Sequence, residues 1–174
     1  MKILEIRRHS IRLKTSGHLS QEGVNLARSV GQGLGPFDFV ATSTLTRALE
    51  TAIAMGFAVT EQNELMSTYG AAVEAEAPWP LSYFQYSEIV NQDGMAGKYA
   101  HQLFDYYVDV INKIADGGSA LLVNHGGVVE LGTVACLPDE DFSTGGAEAS
   151  YCEGARLFWE NVKFVKGEVL RVSR

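Results

Sequence analysis

The feature that most narrows the fold is an alternation of short apolar runs with amphipathic stretches. Residues 3–6 read as a strand. After a polar loop, Ser20 is placed to cap a helix that carries Val24, Ala27, Val30 and Leu34 near helical spacing. Gly33, Gly35 and Pro36 close that helix. Residues 37–41 form a second strand. Thr42, Ser43 and Thr44 then offer caps for a helix with Leu45, Ala48, Leu49, Ala52 and Met55 on one face, ended by Gly56. From residue 58 to residue 98 the pattern is weak, which predicts a long functional loop with one short helix over residues 81–91. A third amphipathic helix is expected over residues 98–115, with Leu103, Tyr107, Val110 and Ile114 aligned. Residues 120–123 suit a buried strand, and another helix begins near Gly127. The tail reads as a hairpin, with strands over residues 156–164 and 168–172 about a turn at Lys166 and Gly167.

Strands alternating with helices predict a three-layer α/β/α domain with a mostly parallel central sheet. The terminal hairpin adds antiparallel strands at its edge. A length of 174 residues predicts one domain covering residues 1–174. The charge balance bears on partners. Fourteen basic against twenty-one acidic residues gives −7, which excludes a general nucleic-acid binder. A few arginines gathered in one pocket still suit a small phosphate. Cys136 and Cys152 form no C-x-x-C pair and read as reduced core thiols of a cytoplasmic protein. The charged N-terminus lacks a signal peptide's apolar stretch, and no apolar run is long enough to span a membrane. The hairpin's edge strand leaves monomer and homodimer both open.

In an open α/β sheet, ligands bind beyond the carboxyl ends of the strands. Arg7, Arg8, His9 and Ser10 follow the first strand. Thr42, Ser43 and, one turn into a helix, Arg47 follow the second. Asn124, His125, Gly126 and Gly127 follow the buried third. A lone histidine after a strand is ordinarily structural, and Arg7 alone is ordinarily a surface charge. Two histidines and two arginines at one sheet edge are a different matter. Guanidinium groups match phosphate oxygens with paired hydrogen bonds, and a histidine beside them suits attack on phosphorus. No P-loop, G-x-G-x-x-G fingerprint or nucleophile elbow occurs, nor the close histidine spacing of a metal site. His18 and His101 stand alone and read as structural or exposed.

Four segments together carry a resemblance. They are Arg8-His9-Ser10, Leu19-Ser20-Gln21-Glu22-Gly23, Ser43-Thr44-Leu45-Thr46-Arg47-Ala48-Leu49-Glu50-Thr51-Ala52, and Leu121-Leu122-Val123-Asn124-His125-Gly126-Gly127. In this order they resemble the histidine phosphatase superfamily, the phosphoglycerate mutase-like group, and its small phosphatases in particular. The resemblance implies that His9 is the phosphorylated nucleophile. Arg8 and Arg47 would clamp the phosphoryl group, and His125 would donate a hydrogen bond to it. It implies no metal and no organic cofactor. Ser10, Arg12, Ser43 and Gly126 are the expected substrate contacts, with Arg12 facing a second anionic group.

Two departures stand out. Ser10 replaces a glycine usual in the family, and its hydroxyl is placed either to touch the phosphate or to crowd the backbone. The family's L-x-E-x-x-[FY]-G segment has Glu64-Leu65-Met66-Ser67-Thr68-Tyr69-Gly70 as its nearest text, with no carboxylate at the matching position. Glu64, Glu74 and Glu76 are the candidate acids, Glu74 foremost. Residues 79–86 are expected to wall the pocket. The resulting expectation is a metal-independent phosphatase that hydrolyses a small phosphomonoester or phosphohistidine through a phosphohistidine intermediate on His9. Inorganic phosphate or sulfate would suit its pocket. The alternatives are a pseudoenzyme that binds a phospho-ligand and a phosphomutase.

Overall fold

The structure, a computed structural model, describes residues 1–173, and its architecture is organised about the first strand. β1 (Lys2–Arg8) lies between β4 (Ser119–Asn124), to which it is parallel, and β5 (Gly154–Glu160), to which it is antiparallel. β2 (Phe39–Thr42) pairs parallel with β4 on its far side, and the two-residue β3 (Glu61–Gln62) extends that edge. β6 (Lys163–Leu170) closes the other edge against β5. The strand order is β3-β2-β4-β1-β5-β6.

Alternation along β4 shows how the sheet is covered. Ala120 and Leu122 face a large apolar cluster, and Leu121 and Val123 face a smaller one. The smaller cluster takes Ala27 from α1 (Gln21–Gly31) and Ala48 and Ala52 from α2 (Thr46–Ala54). The larger takes side chains from α3 (Gly70–Glu76), α4 (Tyr83–Val90), α5 (Met95–Lys113) and α6 (Val128–Cys136). The result is the expected α/β/α layering.

Several expectations need correction. Residues 58–98 are not one long loop. They hold β3, a 3-10 turn (Glu64–Met66), α3 and α4. α3 escaped the periodicity because only Val73 of its seven residues is buried. α4 begins after Ser82, whose hydroxyl accepts from Gln85 N while Gln85 reaches back to Ser82 N. The hairpin turns at Asn161 and Val162, both with positive φ, rather than at Lys166 and Gly167. Gly167 lies inside β6, where a Cβ would come within 2.4 Å of Leu137 Cδ1. Arg7 is buried, not a surface charge. Its Nε donates to Glu5 at 2.5 Å, and Glu5 also accepts from Arg156 at 2.7 Å. Ser20 does cap α1, its hydroxyl accepting from Gly23 N at 3.0 Å. α2 is different: Leu45 stands at its start, with no side-chain cap. Both cysteines are buried and free.

Candidate active site

Strand register brings the polar residues together. Arg8 is level with Asn124, and Thr42 with Val123. The residues just beyond, His9, Ser43 and His125, therefore emerge side by side at the carboxyl edge.

His9 is buried, and its main chain is held by a hydrogen bond from its N to Asn124 O at 2.9 Å. Its Nδ1 lies 2.7 Å from the carbonyl of Ser10. A carbonyl can only accept, so Nδ1 carries the proton and Nε2 is left with a lone pair. Arg47 Nε donates to that atom at 3.2 Å. Burial pulls the His9 pKa down to about 3, and the positive charges of Arg47, Arg8 and Arg12 add to the effect. The imidazole is thus neutral at physiological pH.

The His125 ring centroid stands 5.1 Å from that of His9. Its Nε2 is 2.7 Å from Ser43 Oγ, while its buried Nδ1 has no hydrogen-bond partner. Burial brings its pKa down to about 2, and the positive charge near His9, Arg47 and Arg8 works in the same direction. Arg8 donates from Nη1 to Ala149 O at 3.0 Å. Its guanidinium lies 4.6 Å from the Trp79 ring centroid and 4.4 Å from that of Tyr151, so two aromatic rings pack against it. A cavity of about 370 Å³ opens beside Arg47 and His125, lined also by Ser67, Tyr69, Glu74 and Gly126.

No family model matches the sequence, and no curated protein matches it. Solved structures do. The phosphoserine phosphatase of Entamoeba histolytica, in complex with 3-phosphoglyceric acid, is similar at a TM-score of 0.72 and 18% identity. That match covers 99% of this chain and 98% of that one. A mycobacterial glucosyl-3-phosphoglycerate phosphatase complexed with VO3 is similar at 0.72 and 17% identity, over 99% of this chain and 100% of that one. The phosphoglycerate mutase of Bacillus anthracis str. Sterne reaches 0.66 at 16% identity, over 94% and 90%. The chain has the fold that these phosphatases and this mutase share, the phosphoglycerate mutase-like fold.

Within this fold the remaining expected residues take separate places. Glu74 lines the cavity and hydrogen-bonds Tyr69. Glu64 is bound to the Thr44 hydroxyl, and Glu76 accepts from Ala96 N at 2.8 Å at the start of α5, so both serve local structure. Arg12 is exposed, near enough to add positive charge at His9 and Arg47.

The structure gives three of the expected substrate contacts partners within the protein. Ser10 is fully buried and its hydroxyl donates to Gly23 O at 2.7 Å. Its φ is not in the left-handed region, so serine fits without strain. Ser43 is the hydrogen-bond partner of His125. Gly126 is small because a Cβ there would lie 2.3 Å from Trp79 Nε1. Of residues 79–86, only Trp79 packs against Arg8. Tyr83 and Tyr86 are fully buried in the core.

Tyr151 and Glu130 went unread in the sequence. Tyr151 lies in a stretch without period or motif. Glu130 had one signal, an acid inside the apolar stretch of α6. Among the described residues, no three His, Cys, Asp or Glu side chains gather in a way that could hold a metal ion.

Proposed function

We propose that the chain is a phosphatase that works through a phosphohistidine on His9, with no metal or organic cofactor. The observation that carries the reading is the tautomer of His9. Its Nδ1 proton is committed to Ser10 O at 2.7 Å, and its basic Nε2 faces the guanidinium of Arg47 at 3.2 Å. A neutral imidazole whose lone pair points at a cation is suited to a phosphoryl group that arrives with its own negative charge.

In this reading the Nε2–P bond forms as the bond from phosphorus to the leaving oxygen breaks. Arg8 and Arg47 offset the charge that spreads over the equatorial oxygens. Ser43 donates its hydroxyl proton to His125 Nε2, which leaves His125 Nδ1–H as a donor to one of those oxygens. Glu74, on the cavity side, gives a proton to the leaving oxygen. Water then attacks phosphorus, the N–P bond breaks, and inorganic phosphate departs as Nε2 recovers its lone pair. Glu74 recovers its proton from that water. A leaving group that fits a cavity of about 370 Å³ is small. The similar structures carry 3-phosphoglyceric acid in one case and act on glucosyl-3-phosphoglycerate by name in another. A small phosphomonoester is the substrate class these facts support, and exposed Arg12, whose positive charge acts at His9, favours a second anionic group on it.

The test is hydrolysis of p-nitrophenyl phosphate with EDTA present, by the wild type and by His9→Ala, over about pH 5 to 8. Activity in the wild type and none in the variant is the expected result, with acid-labile phosphate trapped on His9 during turnover. Activity retained by His9→Ala overturns the reading. Phosphate binding without turnover marks a phospho-ligand binding protein, and label passing to a second alcohol marks a mutase.

A further inference from the structure

Glu130 is fully buried, yet it sits in the first turn of an otherwise apolar helix. One of its bonds is a familiar one. Oε2 accepts from Gly127 N at 2.7 Å, which caps the start of α6. The other leaves the helix altogether. Oε1 accepts from Ala149 N at 2.7 Å. The two bonds end on two different parts of the site. Gly127 is two residues beyond His125, in the turn that follows it. Ala149 carries the carbonyl that receives Arg8 Nη1 at 3.0 Å. The same loop brings Tyr151 against Arg8, and from outside it is held by Arg171, which donates to Gly145 O, Ala147 O and Glu148 O.

We infer that Glu130 is a positioning residue which, as a carboxylate, brackets the His125 turn to the Arg8 loop and so sets the spacing of the anion-binding groups. It touches no substrate. The inference rests on the phosphatase reading of the site. Its chemistry is that of an acceptor with two oxygens. Ionised, the side chain takes one N–H on each. Protonated, one oxygen becomes a donor facing an N–H, and one of the two bonds is lost. The groups facing it are Arg8 from β1, Tyr69 ahead of α3, and Tyr83 and Tyr86 from α4. Among these only Arg8 is charged near neutrality, and it favours the ionised form. Burial acts the other way and more strongly, and the carboxyl is pushed up to about 7. The bracket therefore loosens on mild acidification.

Sulfate binding tests this, because sulfate keeps its charge where phosphate titrates. The wild type and E130Q are titrated with sulfate by calorimetry over about pH 6 to 8, with thermal unfolding run alongside. Glutamine has the shape of the protonated acid. The wild type is expected to bind about tenfold more weakly at the acid end, and E130Q to bind weakly and without pH dependence throughout. If E130Q binds as tightly as the wild type with the same pH profile, the inference is overturned. Wild-type affinity that is flat with pH also overturns it, and this arm stands even if E130Q does not fold. If the wild type binds no sulfate at any pH, the inference is overturned, and the p-nitrophenyl phosphate assay decides separately whether the phosphatase reading stands.

Discussion

The two nitrogens of His9 have separate duties, and the fold assigns them through one main-chain carbonyl. A carbonyl at 2.7 Å from Nδ1 admits one tautomer, so the basic nitrogen faces Arg47 before any ligand arrives. Gly126 has an equally local constraint. An added methyl would press on three atoms of the Trp79 indole within 2.9 Å, and the indole is the ring packed against Arg8. Gly126→Ala is therefore expected to cost about 1–3 kcal/mol of stability by overpacking. Phosphate affinity should fall with it, and thermal unfolding with phosphate titration measures both. Ser10 shows the limit of reading a motif by its letters. The position read as a phosphate contact because it adjoins His9, the expected nucleophile. The structure turns the hydroxyl towards Gly23 O, and Ser10 N donates to Thr51 Oγ1 at 2.9 Å. Which way a side chain leaves a loop depends on partners 13 and 41 residues away, and no local pattern encodes that.

Among the elements, the terminal hairpin carries its strain at a position the sequence does not advertise. Val162 is β-branched, adopts φ 65 and is 85% exposed. Val162→Gly should stabilise the protein by about 1 kcal/mol, because it removes a left-handed penalty and gives up no buried contact. Gly167→Ala should do the reverse, losing about 1–3 kcal/mol as its methyl meets Leu137. Denaturant unfolding of both variants checks the pair. Lys166-Gly167 resembles a turn because glycine usually signals a bend, but here it answers a close packing need. The helices with strong apolar stripes, α1, α2 and α5, were readable because their buried faces repeat at helical spacing. α3 was not, since a short helix resting on one buried valine leaves no periodic trace. The core of the site was readable for another reason. His9, Arg47 and His125 each follow directly on a strand or open a helix, and strand order alone converts that into proximity. Glu130, Trp79 and Tyr151 reach the site through loops and packing.

At the scale of the molecule, the buried titratable groups set opposing dependences on pH. His9 and His125 have folded values of about 3 and about 2, below the ordinary 6.5. Their contribution is full above about 6.5 and is lost as pH falls, at about 1.4 kcal/mol per pH unit for each. Glu130, raised from 4.5 to about 7, has the other sign: its contribution is full below 4.5 and is lost as pH rises towards 7. Between these limits two histidines outweigh one carboxyl. Stability should fall by about 1.4 kcal/mol for each unit of acidification from pH 6.5 towards 5. His125→Gln should flatten that slope and E130Q should steepen it, as unfolding curves across the range would record. The strand order carries a consequence for assembly. β1, which delivers His9, is seated between β4 and β5, and its partner residues run from Ser119 to Asn124 on one side and from Gly154 to Trp159 on the other. β1 is thus flanked only by strands made more than a hundred residues after it. Closing such distant contacts slows folding. During synthesis β1, with His9 just beyond it, stays unpaired until β4 has emerged, so the edge that carries the candidate site takes shape late.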